Sequence, residues 1–219
     1  IAQADLAQDA CNQTGIFADE EETRGFGAVA ALYTEACQVI VRADSGIESV
    51  EDLQGKTVSI GAEESGSEQN ALQILSAYGL TDRLVEAVNL NYEDAAAQLK
   101  AGKIDAVFIT AGIPSPVVTE LAGECGVRLL NVDGAAAQRL RSAYSAYSEV
   151  TIPAETYPGQ TEDAHTVGVK AVLLASDELP AAQVQKLTEL LFSGREGLEE
   201  QLGIPLDAEQ DAVEGVGIP

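Results

Sequence analysis

The chain has no methionine, no tryptophan, one histidine and three cysteines. Each shortage removes a class of chemistry. Cys11, Cys37 and Cys125 lie far apart, form no CxxC pair and are odd in number, so they do not make a disulfide framework. Each sits among apolar or small neighbours, which predicts buried, inert thiols. One histidine gives no zinc pattern, and no dinucleotide fingerprint occurs, so neither metal nor cofactor is expected. A Ser-His-Asp triad would have to use His165, yet no G-x-S-x-G elbow is present anywhere. No apolar run approaches the roughly 20 residues that span a bilayer. The opening "IAQADLAQ" reads as a mature or trimmed start, so localisation is not taken from it.

Positive charge is the other scarce commodity. Twelve Lys+Arg stand against 36 Asp+Glu, a formal net charge of −24 spread along the whole chain. That balance excludes nucleic acid and anionic membrane surfaces as partners. It fits adaptation to high salt or a merely acidic solvated surface, and composition alone separates neither. With 219 residues and 46% hydrophobic content, the chain is long enough for one large or two small cored domains.

What is present is a strand-then-helix rhythm, the mark of an α/β fold. "CQVIVR" (37–42), "KTVSIG" (56–61), "KIDAVFIT" (103–110) and "VRLLNV" (127–132) read as strands. Between them fall a helical turn at 49–55 and helices at 65–79, 91–102, 115–125 and 134–147. Their signals are caps at Ser49, Asn91 and Ser115, Pro116 at a first helical position, and glycine stops at 55, 79 and 102. The Pro- and Thr-rich 150–166 reads as an irregular connection between two bodies. After it come an apolar strand at 167–175, one or two helices over 177–202 capped by Asp177, and a surface tail. The first 17 residues read as a strand end and short helix without a sheet of their own. This organisation predicts one body from 1–40 and 167–219, a second from 41–166, and a ligand between them.

Chemistry concentrates where strands end. "GAEESGSEQN" (61–70) places Ser65, Gly66 and Ser67 at a helix entrance, where unpaired N–H groups and the helix dipole attract carboxylate or phosphate. Asn70 lies one turn further on. Ser65 and Glu68 also have the S-x-x-E capping-box spacing, so the same residues are sufficient to start a helix. No GK[ST] follows this loop, so it is not a nucleotide phosphate loop. Thr110, Ala111 and Gly112 form a second strand-end loop, either a binding floor or a plain tight turn. Tyr33 is a third candidate, with a core tyrosine as its alternative.

Four stretches together resemble a known family: "IAQADLAQDACNQTGIF", "VAALYTEACQVIVRADSGIESVEDLQGKTVSIGAEESGSEQNA", "AGKIDAVFITAGIPSP" and "VTIPAETYPGQTEDAHTVGVKAVLLA". In this order they look like the TAXI group, the solute receptors of TRAP transporters also called immunogenic proteins. "ITAGIP" and "TYPGQ" are its more specific parts, whereas "VRADSGIESVEDLQGK" resembles type II periplasmic binding proteins at large. The resemblance implies a two-lobed Venus-flytrap α/β fold, with part of lobe one, including a Gly-rich "TGGTGG"-like loop, preceding Ile1.

It further implies a periplasmic or extracellular receptor, not an enzyme, that captures glutamate or a similar small carboxylate and hands it to membrane permease subunits. A monomer is expected. Ser65, Gly66, Ser67 and Asn70 would hold a carboxylate over Thr110, Ala111 and Gly112. Gln3, Asp5 and Tyr33 would reach in from lobe one, and Tyr157 and Gln160 from the connection. Hinges would lie around Leu32–Val41 and Thr166–Leu174. The chain departs from the family pattern G-x-P-G-S-G-T by carrying Glu63 and Glu64 before the serines, which favours a zwitterion over a plain dicarboxylate. A ligand-sensing domain of a signalling protein shares every residue expectation. An enzyme on the same fold would depend on His165 or a cysteine.

Overall fold

A computed structural model describes residues 1–18, 25–81 and 83–206. The chain divides into two compact units, one of residues 1–35 with 169–219 and the other of residues 36–168. Two long strands, β2 (Phe26–Arg42) and β8 (Ala164–Ser176), belong partly to each unit.

In the 36–168 unit, β3 (Thr57–Ser59), β4 (Glu86–Val88) and β5 (Ala106–Ala111) run parallel, β3 pairing with both of the others. The far half of β2 lies antiparallel to β5, from Ala36↔Ala111 to Val41↔Ala106. Its other edge takes β6 (Val127–Leu130), from Val39↔Leu130 to Arg42↔Val127. A hairpin partner, β7 (Ser148–Ile152), pairs with the start of β8. Buried on both faces, β5 and the Ala36–Val41 half of β2 are rich in Val, Ile and Ala, as central strands require.

Four helices cover this sheet: α2 (Gly66–Ala77), α3 (Tyr92–Lys100), α4 (Pro116–Cys125) and α5 (Gly134–Ala143). Their starts follow local chemistry. Ser65 Oγ accepts the Glu68 N–H at 3.2 Å, Asn91 Oδ1 accepts the Asp94 N–H at 2.8 Å, and Pro116 opens α4. On one face, Ile40, Val107 and Ile109 meet Leu99, Val118 and Leu121 in a single buried cluster that also takes in Tyr157. Burying each such aliphatic side chain contributes about 1.5–3 kcal/mol.

The other unit holds β1 (Ala2–Gln3), which pairs antiparallel with β8 at Ala2↔Val172, then α1 (Ala4–Asn12), α6 (Ala181–Ser193) and α7 (Arg195–Leu202). Its clusters are small: Ala4, Ala7, Ala31 and Val172 in one, Ala30, Leu32 and Leu206 in another. Among the described residues no helix is long and apolar enough to cross a membrane.

Five readings need correction. The strand expected at 37–42 begins at Phe26, because pairing with β8 extends it. The opening segment does have a sheet, since β1 takes the edge of β8. Part of the stretch read as an irregular connection is β7, hidden by its prolines and threonines. Helix α6 is preceded by Pro180 rather than capped by Asp177. Cys37 is buried, but Cys11 and Cys125 are partly exposed. The expected tail lies mostly outside the described residues.

Candidate functional site

Because β3 and β5 are parallel neighbours, the helices that follow them, α2 and α4, start at the same edge of the sheet. Ligands of open α/β sheets bind outside this C-terminal edge. Seven of the residues picked from sequence gather here: Ser65, Gly66, Ser67, Asn70, Thr110, Ala111 and Gly112.

At the entrance to α2 the chain bends sharply. Gly61 has φ 101°, and a Cβ on it would stand 2.8 Å from Ser67 Cβ, so glycine lets the loop press onto the first turn. Glu64 adopts a left-handed φ of 59°, and its N–H donates to Glu68 Oε2 at 2.6 Å. Asn89 Nδ2 donates to Glu68 Oε1 at 2.7 Å and to Gly61 O at 3.2 Å. The capping box therefore forms with a shift: Glu68 reaches back to Glu64 instead of Ser65. Ser65 caps the helix, and the Ser67 hydroxyl bonds to Tyr92 Oη. Left over are the Gly66 and Ser67 N–H groups, which belong to the first turn and have no acceptor within the helix.

Tyr92 was not picked from sequence, yet it joins the two loops. Its hydroxyl donates to Thr110 O at 2.9 Å and accepts the Thr110 N–H at 3.3 Å. β3 stops at Ser59 while β5 runs on to Ala111, so this stretch of β5 lacks β3 as a neighbour, and Tyr92 supplies its bonds. Its position just after the Asn91 cap was the available signal. The Thr110 side chain turns to the other face and reaches Cys37 Sγ at 3.6 Å.

Other expected residues spend their polar atoms inside the protein. Asn70, fully buried, donates to Tyr147 Oη at 2.7 Å. Tyr157 Oη donates to Gln38 Oε1 at 2.6 Å and accepts the Ser115 N–H at 3.0 Å. Burial pushes the Tyr157 phenol pKa up, against the two hydrogen bonds. Gln160 braces its own loop through Ile152 O at 3.2 Å and Glu162 O at 3.0 Å. All three side chains therefore make hydrogen bonds within the protein. His165 is exposed on β8, with Nδ1 3.3 Å from Thr151 Oγ1.

In the other unit, Gln3, Asp5 and Tyr33 surround Glu35, which sequence reasoning overlooked. Burial raises the Glu35 carboxyl pKa, a Gln3 hydrogen bond opposes that, and the Asp5 charge adds to it. Tyr33 is raised by burial and then by Glu35.

Compared with known protein families, residues 1–216 match the NMT1-like family. The chain belongs to that family. Among solved structures it is similar to the periplasmic aliphatic sulphonate binding protein SsuA from Escherichia coli, at 22% identity and TM-score 0.49. It is also similar to the alkanesulfonate-binding protein SsuA from Xanthomonas axonopodis pv. citri bound to MOPS, at 21% and 0.48. In each case 83% of this chain is covered but only 56% of the other, so the chain spans little more than half the length of these proteins. An ancestral arginine-binding protein bound to arginine gives 16% identity and TM-score 0.48 over 91% of this chain and 74% of that one.

Proposed function

We propose that the chain is the solute-binding part of an extracytoplasmic receptor, a TAXI-type protein that serves the permease subunits of a TRAP transporter. Its ligand is glutamate or a similar small carboxylate. The observation that carries this reading is the sheet edge where β3 and β5 end, with two helices opening at it and the Gly66 and Ser67 N–H groups without an acceptor among the described residues. Those donors and the helix dipole favour a carboxylate. Glu63 and Glu64 are exposed at the same entrance, so their carboxylates are not forced onto it. Membership of the NMT1-like family and the "ITAGIP" and "TYPGQ" stretches support the same assignment.

Isothermal calorimetry with L-glutamate, other amino acids, succinate and related dicarboxylates tests it. Saturable heat from at least one carboxylate is the expected result. A flat titration for the whole panel rejects the proposal.

A further inference from the structure

Helix α4 opens at the same edge as α2, and its surroundings differ in charge. Ser115 precedes it without capping it through its side chain, and the first bond into the helix is Thr119 N–H to Ser115 O at 2.9 Å. The Val117 and Val118 N–H groups therefore have no acceptor among the described residues. On the face of the sheet that α4 covers lies Gln38, 1% exposed, whose Nε2 finds no hydrogen-bond partner among the described residues.

That amide belongs to this mouth on two counts. Gln38 sits opposite Ile109 in the β2–β5 register, between Ala36 and Ile40. All three apolar neighbours pack in the cluster containing Val118 and Leu121 of α4. Its Oε1 accepts the Tyr157 hydroxyl at 2.6 Å, and the same hydroxyl takes the Ser115 N–H at 3.0 Å. One oxygen thus ties the amide to the residue that opens the helix. Leaving a buried amide donor unpaired costs about 1–3 kcal/mol, so the orphan Nε2 calls for an acceptor. At α2 the Glu68 carboxylate already stands over the entrance, whereas the first turn of α4 has no acidic residue. Ser115 is buried and Pro114 beside it exposed, which puts the mouth just beneath the surface.

We infer that the first turn of α4, with Gln38 Nε2, is a second oxyanion seat beside the α2 entrance, taking one oxygen of a carboxylate or sulfonate headgroup. The inference rests on the proposed solute-binding function and names where the headgroup goes. It also gives Gln38 a role: the one amide in the otherwise apolar run "ACQVIV" positions a donor rather than filling space.

The test is calorimetry of L-glutamate, succinate and methanesulfonate on wild type, Gln38→Leu and Leu99→Ala. The Gln38 side-chain amide signal is followed in parallel by NMR on the wild type. Gln38→Leu is expected to weaken the binding probe at least tenfold, and Leu99→Ala, a truncation in the same buried cluster that leaves Gln38 and its partners in place, by less than twofold. The amide signal moves on titration with that probe. Equal affinities in wild type and Gln38→Leu overturn the inference. So does a wild type that binds a probe with the amide signal unmoved, since a fixed water would then satisfy Nε2. Binding of none of the three overturns this inference; the proposed function falls only if the wider amino-acid and dicarboxylate panel is silent too. Should Gln38→Leu fail to fold, the wild-type NMR titration still decides.

Discussion

The two units bury their apolar residues to different depths. In the 36–168 unit, each of the helices α2 to α5 sends at least two side chains into buried positions against a central strand pair. In the other unit, α6 and α7 bury none, and Leu187, Leu190 and Leu202 are 40%, 59% and 53% exposed. There the near half of β2 and helix α6 border a groove of about 1420 Å³ lined by Gly27, Ala28, Val184 and Phe192. Helix formation in proteins draws most of its stability from burying one face. The lesson is that the helices of the 36–168 unit are anchored by fully buried side chains, whereas α6 and α7 pack Leu191, Phe192 and Leu198 only partly against Ala30, Leu32 and Leu206.

Truncation is the strongest way to break this comparison. Phe108, 2% exposed in β5, is expected to cost about 3–5 kcal/mol as Phe108→Ala, through lost transfer energy and a cavity. Leu190→Ser on α6 is expected to stay within about 0.5 kcal/mol. Urea titrations of both proteins measure the contrast, and similar losses would erase it. Next in size is Tyr157→Phe. It strands the Ser115 N–H and Gln38 Oε1 in the core and is expected to cost about 1–3 kcal/mol. Unchanged stability would mean that the phenol serves a ligand instead of the fold.

How far the sequence is legible follows the same division. Helices α2, α3 and α4 could be read because Ser65, Asn91 and Pro116 are local signals that tertiary packing leaves in place. The near half of β2 could not, because Gly27, Ala28 and Ala30 have low strand propensity and become a strand through pairing with distant β8. β7 was obscured by turn-forming neighbours. At the site, residues in loops were visible as exceptions to the pattern. Glu68 was visible as a capping-box residue, though it reaches Glu64 rather than Ser65; Tyr92 and Gln38 were not visible, since their roles depend on partners 18 and 119 residues away. The internal partners of Asn70 and Tyr157, 77 and 119 residues away, were likewise not visible.

Capping sharpens the comparison on a smaller scale. Side-chain N-cap bonds occur at α2 and α3, whereas α1, α6 and α7 have none. Ser65→Ala is expected to cost about 1 kcal/mol by thermal melting. Pro180→Ala, which removes no cap bond, should shift the melt less, and the reverse order would contradict the local reading of these helices.

The smallest expected effect concerns Glu35, the half-buried carboxyl beside Gln3 and Asp5. Its pKa is raised above the ordinary 4.5, chiefly by burial. In the window above 4.5, the folded chain therefore keeps a proton that the unfolded chain has released. Stability depends on the protons bound in each state, so Glu35 makes stability fall as pH rises through that window. Glu35→Gln removes the titration, and the slope of melting temperature against pH should flatten there. The change should be localised: amide exchange in α1 should lose its excess pH dependence while exchange in α3 stays as in wild type. An unchanged slope would mean that water reaches the carboxylate and that the Gln3–Asp5–Glu35 corner is as open as the α6 surface.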